Sequence, residues 1–161
     1  MPRRVGCPAY ADRWAPPEQL VTRIVVGVDG SPCGEQALRW AVGYARATGA
    51  SIEAILSWNE HPLLAGVAET LGGGVPLDQV EAQARAMLDA AVDGVSGGGN
   101  DVAITRTIES GSPTDVLVAA ASAADVLVVG RHGGAGVLRL GSVSAHCARH
   151  AACPVVVVPE K

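Results

Sequence analysis

Residues 22–28 (TRIVVGV) form an almost unbroken apolar run that stops at Asp29-Gly30-Ser31-Pro32. Runs without polar alternation mark strands buried on both faces, as in parallel sheets. Ser31 then suits a helix N-cap and Pro32 a first turn. Ala37, Leu38, Ala41, Val42 and Ala45 make one helical stripe, which Gly49 is placed to stop. Residues 51–58 (SIEAILSW) read as a second strand, and 59–76, with three consecutive glycines, as a variable connection. Val80, Ala84, Met87, Leu88, Ala91 and Val95 recur at helical spacing, and 96–100 is a turn. The pattern predicts a third strand over 101–109, less cleanly alternating than the others. Ser112-Pro113-Thr114-Asp115 then supplies a cap, an N1 proline and an early acid for a third helix. Residues 125–129 (DVLVV) are a fourth strand, 130–141 a glycine-rich loop, 142–151 a short helix and 154–158 (PVVVV) a fifth strand.

Strands alternating with helices point to a parallel sheet with right-handed crossovers and helices on both faces. The expected fold is α/β, an open five-stranded parallel sheet in the order 3-2-1-4-5. Residues 1–20, with four prolines, read as a flexible N-terminal arm, and 21–161 as one domain. The chain has no Phe, so Val, Leu, Ile and Ala must build its core. A formal net charge of −4 without a dense basic run argues against a nucleic-acid partner. No apolar run reaches membrane-spanning length, and no signal-peptide h-region follows Arg3-Arg4. The expectation is a cytoplasmic protein, with Cys7, Cys33, Cys147 and Cys153 as reduced thiols.

In such sheets ligands bind beyond the carboxyl ends of the strands, where the strand order reverses. In the order 3-2-1-4-5 the loops flanking that point begin at Asp29 and Gly130. The second loop runs Gly130-Arg131-His132-Gly133-Gly134-Ala135-Gly136 and on to Gly141-Ser142-Val143-Ser144. Glycines let backbone N–H groups approach an anion, and a helix start at Ser142 favours phosphate. Ser142 and Ser144 would add hydroxyls; Arg131, His132 and Arg139 would add charge. The same residues also read as a surface loop with a serine cap, and Asp29 as a plain Asx-turn residue. His146, Cys147, His150 and Cys153 are read as structural, because Cys147 points away from His146 on a helix. Cys33, in a first helical turn, is placed where a helix dipole lowers a thiol pKa. No catalytic constellation stands out.

Asp29-Gly30-Ser31, Gly130-x-x-Gly133, Gly141-Ser142 and the tail Cys153-Pro154 with four valines together resemble the universal stress protein family. The resemblance covers about residues 22–159. It implies an adenine-nucleotide α-hydrolase-like fold, a homodimer joined through the C-terminal strand and, in one subgroup, ATP with Mg²⁺. Asp29 would then meet the ribose and adenine side, and Trp58 would lie near the adenine, although a large aromatic at a strand end also reads as a packing residue. Gly130, Gly133, Gly141, Ser142, Val143 and Ser144 would cradle the phosphates. Seven residues separate Gly133 from Gly141, where the ATP-binding pattern has nine. The expected function is an ATP-binding stress-response or regulatory protein with at most slow hydrolysis. The alternative is a nucleotide-free dimeric interaction module of the same fold.

Overall fold

The structure, a computed structural model, describes residues 22–58, 77–97, 101–131 and 140–160. The arm over 1–20, the connection over 59–76 and the loop residues His132, Gly133, Gly134, Gly136 and Arg139 lie outside the described residues. Strand β1 (Arg23–Gly27) leads into helix α1 (Pro32–Thr48), followed by β2 (Ser51–Trp58) and α2 (Leu77–Ser96). Then come β3 (Ile104–Ser110), α3 (Pro113–Ala121), β4 (Val126–Gly130), α4 (Ser142–His150) and β5 (Val155–Val158). The sheet is parallel throughout, in the order β3-β2-β1-β4-β5.

Side chains alternate along each strand and so divide the core in two. Ile24, Val26, Ile52, Ala54, Leu56 and Val128 face α1 and α2. Val25, Ile55, Leu127 and Val129 face Leu117 and Ala121 of α3 and Cys147 of α4. Small residues at Ala37, Ala41 and Ala45 let α1 lie flat on the central strands, while Leu38 and Val42 fill the space beside them. Both ends of α1 follow the sequence reading. The Ser31 hydroxyl accepts from the Gly34 N–H, and Gly49, at φ 76°, closes the helix by donating to Ala45. That left-handed geometry suits glycine.

Strand β3 starts later than the spacing predicts. Asp101 is held by Arg46 of α1, with Nε 2.5 Å from Oδ2, so the chain is still turning there. Strand β5 begins after Pro154, which has no N–H to give the ladder but whose carbonyl accepts from Leu127 at 3.0 Å. The blurred alternation of β3 reflects its place at the sheet edge. Arg106 turns toward α2 and pairs with Asp89 and Asp93, while Thr107 on the other face donates to Glu53.

The amino end of β1 is tied by one carboxylate. Asp125 Oδ2 accepts from the Thr22 N–H (2.8 Å), the Arg23 N–H (2.9 Å) and the Thr22 hydroxyl (2.9 Å). The backbone donors, Thr22 first, hold its pKa below the ordinary carboxylate value. A depressed folded-state pKa stabilises the fold above the unfolded value, and that contribution is lost as pH falls through the folded one. Asp125→Asn is expected to lower the melting temperature at neutral pH and to flatten its fall below pH ~4. Thermal melts of both proteins from pH 7 to pH 3 measure this; parallel curves would refute the clip.

Candidate functional site

Because β1 connects outward to β2 on one side while β4 lies on the other, the chain leaves a crevice at their carboxyl ends. A cavity of about 170 Å³ occupies it. Gly27, Val28 and Asp29 form one wall and Val129 with Gly130 the other. Ile55 and Ser57 of β2, Leu117 of α3 and the starts of α1, α3 and α4 complete the lining.

Asp29 is drawn over the first turn of α1. Its Oδ1 accepts from the Ser31 N–H (3.0 Å) and the Ser31 hydroxyl (2.5 Å), while Ser31 Oγ accepts from Gly34 N–H at 3.1 Å. The Asx-turn reading is therefore correct, and the residue still lines the crevice. Gly34 makes the arrangement possible, because a Cβ there would lie 2.5 Å from Asp29 Oδ1. The turn itself passes through Gly30 at φ 74°.

Gly130 serves packing. A Cβ at that position would sit 2.6 Å from the carbonyl carbon of Cys33 and 2.7 Å from its oxygen, both backbone atoms. Gly27 is similar, with a Cβ 2.8 Å from Leu117 Cδ1. Gly141, the N-cap of α4, has φ −62° and ψ 163°, extended backbone open to any residue. Its glycine answers no demand of the turn.

Three of the helices that begin at this end of the sheet line the crevice, and their caps differ. The N-terminus of α1 is capped by Ser31. In α3 the Ser112 hydroxyl bonds Thr114 Oγ1 at 2.7 Å and makes no cap bond to the backbone. The start of α4 also has no side-chain cap: Ser142 is its first residue, not its cap, and the buried Ser144 hydroxyl donates back to Gly141 O at 3.1 Å. The Ser142–Ser144 turn lines the crevice, and a helix N-terminus carries N–H groups without intrahelical partners.

Of the residues singled out in the sequence, the structure brings together Asp29, Gly130, Ser142, Val143 and Ser144; Gly141 precedes them on α4, and Gly133 lies outside the described residues. Trp58 is not brought into this lining. The period of two turns it onto the α1/α2 face, against the first core cluster, while Ser57 faces the crevice. Cys33 lines the crevice but is no activated thiol. Burial pushes its pKa up, the Glu160 carboxylate adds to this, and Sγ donates to Arg131 O at 3.2 Å. Desolvation here outweighs the helix dipole. His146 and His150 lie against each other with ring centroids 4.4 Å apart, whereas Cys147 is buried in the second cluster. Among the described residues, no group of three or more His, Cys, Asp or Glu side chains converges as a metal site. Gly27, Gly34, Ser57, Pro113 and Leu117 also line the crevice, unforeseen from the sequence. The proline start of α3 was the available signal for the last pair.

The model of the universal stress protein family matches residues 21–159. The chain belongs to that family. It is 31% identical over 160 residues to a universal stress protein of Mycobacterium tuberculosis, covering 96% of this chain and 52% of that one. A Mycolicibacterium smegmatis universal stress protein is 32% identical over 137 residues, covering 84% of this chain and 45% of that one. The chain thus spans about half the length of the curated relatives it matches. Among solved structures, a universal stress protein in complex with cAMP has a TM-score of 0.65 at 28% identity, covering 89% of this chain and 100% of that one. UspA from Lactobacillus plantarum has 0.69 at 25%, covering 88% and 99%. An Arabidopsis thaliana family member with AMP bound, at 21% identity and a TM-score of 0.60 over 87% of this chain and 92% of that one, shares the fold.

Within this universal stress protein fold Gly130 is where strand and helix backbone approach each other too closely for a Cβ. Gly130→Ala is expected to force the first turn of α1 away from β4 and to cost about 1–3 kcal/mol, the usual range for overpacking. Urea denaturation of wild type and variant checks this, and equal midpoints would contradict it.

Proposed function

We propose that this universal stress protein binds ATP, with Mg²⁺, in the crevice between β1 and β4, as a cytoplasmic stress-response or regulatory protein. The observation that carries the reading is the start of α4. A helix N-terminus without a side-chain cap faces a mostly apolar crevice at the point where strand order reverses. Phosphates belong at Gly141, Ser142, Val143 and Ser144, with Gly130 and Gly133 bounding the loop before them. Asp29 belongs at the ribose side. Val28, Ile55 and Leu117 offer apolar walls for the base, a role that passes to them from Trp58. Mg²⁺ would enter on the phosphate oxygens, which is how this hard cation commonly arrives. A relative at 28% identity in complex with cAMP supports an adenine-nucleotide ligand. The free thiols Cys33, Cys147 and Cys153 fit a reducing compartment.

The second reading, a nucleotide-free interaction module, is favoured by two features. The loop between Gly133 and Gly141 is two residues short of the ATP-binding pattern, and Asp29 Oδ1 is already engaged by Ser31. Calorimetric titration with ATP, ADP, AMP and cAMP, with and without Mg²⁺, separates the two. ATP is expected to bind wild type, and Gly141→Val to abolish binding without loss of fold, because the new side chain occupies the phosphate position. A folded variant that binds ATP as tightly as wild type would place the phosphates elsewhere. No heat with any of the four nucleotides would favour the interaction module.

The same reading includes a homodimer through β5. That strand pairs with β4 on one side, and its residues are all valine, of which Val155, Val156 and Val157 are only partly buried. An apolar edge of this kind invites another strand, and a two-fold pair is the commonest closed assembly. Val156→Lys with Val158→Lys is expected to convert a dimer to monomer in light scattering. A wild-type monomer at micromolar concentration, or a double-lysine variant that stays dimeric, would refute it.

A further inference from the structure

We infer that the stacked pair Trp40 and Tyr44 on α1 is the surface that meets a second copy of this chain above the joined β5 strands. The inference rests on the homodimer reading and adds to it a contact outside the sheet. The two rings lie 5.3 Å apart at an interplanar angle of 13°, and both side chains are exposed, at 39% and 37%. They are among the largest apolar side chains in the described residues that the fold leaves in water.

Their side of the helix is set by what the opposite flank does. Arg46 reaches across to Asp101 and to the Ser96 carbonyl at the end of α2, so the flank carrying Glu35, Arg39 and Arg46 faces α2. At 100° per residue Trp40 and Tyr44 fall on the other flank, the side of Cys33, whose thiol touches Arg131 and Glu160 around the end of β5. Gln36, Gly43 and Ala47 share that flank, which therefore carries no charge. Two copies can bring such flanks together without opposing like charges. Among the described elements none besides α1 covers β5 on this face.

Spacing explains why large side chains are needed. Helix α1 lies over β1 and β4 and reaches β5 only at its flank. Edge-to-edge pairing of two β5 strands, at about 4.8 Å per strand, would set the two α1 axes roughly 19 Å apart. Helix Cα atoms lie about 2.3 Å from their axis, which leaves a trough of about 14 Å between the two backbones for side chains to fill. Its floor is Val156 and Val158 of both copies, with Val156 still partly exposed in one copy alone. Alanine or leucine on the flank would leave the trough open to water. A Trp and a Tyr from each side fill it, and their stacking in the free chain keeps the ordering cost low.

Sedimentation equilibrium over a dilution series tests this on wild type, on Trp40→Ala with Tyr44→Ala, and on Ala47→Glu. The aromatic double variant is expected to raise the dimer dissociation constant by at least about tenfold, as loss of interface aromatics commonly does. Ala47→Glu, an exposed site that the fold does not need, is expected to weaken the dimer through like charges. Far-ultraviolet circular dichroism and ATP affinity should stay as in wild type. If the double variant fails to fold, Ala47→Glu decides alone. A dimer broken by lysines at 156 and 158 yet indifferent to both flank variants would overturn this inference and leave the strand pairing standing. A wild-type monomer would overturn both.

Discussion

Gly130 has no side chain where β4 meets the first turn of α1, and the backbone of Cys33 occupies the space that a Cβ would take. That contact pulls the start of α1 onto the end of the sheet. With α1 seated there, Cys33 donates to Arg131 O, Arg131 N–H donates to Val158 O at 2.7 Å, and β5 is aligned beside β4. The crevice is what remains between this joint and the start of α4. A glycine that reads as loop flexibility thus provides the opposite, a fixed close approach between helix and strand.

The distribution of capping groups follows from the same joint. Ser31 accepts from the Gly34 N–H of α1 and Asp29 holds Ser31 in place, an arrangement that Gly34 makes possible, so that helix end is capped within the chain. The start of α4 receives no such help. Ser144 turns its hydroxyl inward to Gly141 O, and Gly141 offers no side chain. Uncapped N–H groups cost stability unless water or a ligand meets them. The crevice therefore holds one helix end closed by the chain and two without a side-chain cap; of these α3 opens on Pro113, which has no N–H, so the start of α4 offers an anion more donors.

Much of the fold was legible because its signals are local. Continuous apolar runs gave the strands, and Ser31, Pro32 and Gly49 bounded α1 where the structure has them. The strand order follows the expected 3-2-1-4-5, a property of connection handedness rather than of any one residue. What failed depended on facing and burial. Trp58 could be read from the sequence either as packing or as a ligand neighbour, and only the period of two, which turns it onto the α1/α2 core, separates the readings in favour of packing. Cys33 sits in a first turn, where the dipole argument holds, yet desolvation and Glu160 outweigh it. Ser112 is the N-cap of α3 as the sequence suggests, though its side chain makes no bond to the helix backbone, and at α4 the cap is Gly141 with Ser142 inside the first turn. Gly27 and Gly34 were invisible, since the atoms that forbid a Cβ there belong to Leu117 and to a folded-back Asp29.

The two edges of the sheet carry opposite chemistry. Along β3, Thr105, Arg106 and Glu109 are exposed, and Arg106 is tied to Asp89 and Asp93, so a neighbouring strand would have to displace charges from water. Along β5 there are four valines and no polar side chain. Charged edge residues are a standing defence against unwanted pairing, and their absence leaves an edge available. A sheet with two open edges can extend without limit, whereas a sheet with one can accept a single neighbour and then stops. The aromatic flank of α1 lies on the side of that one open edge, and the α2-facing flank, with its charges, lies toward the blunted one. Edge and flank agree on direction, although they arise from separate segments of the chain.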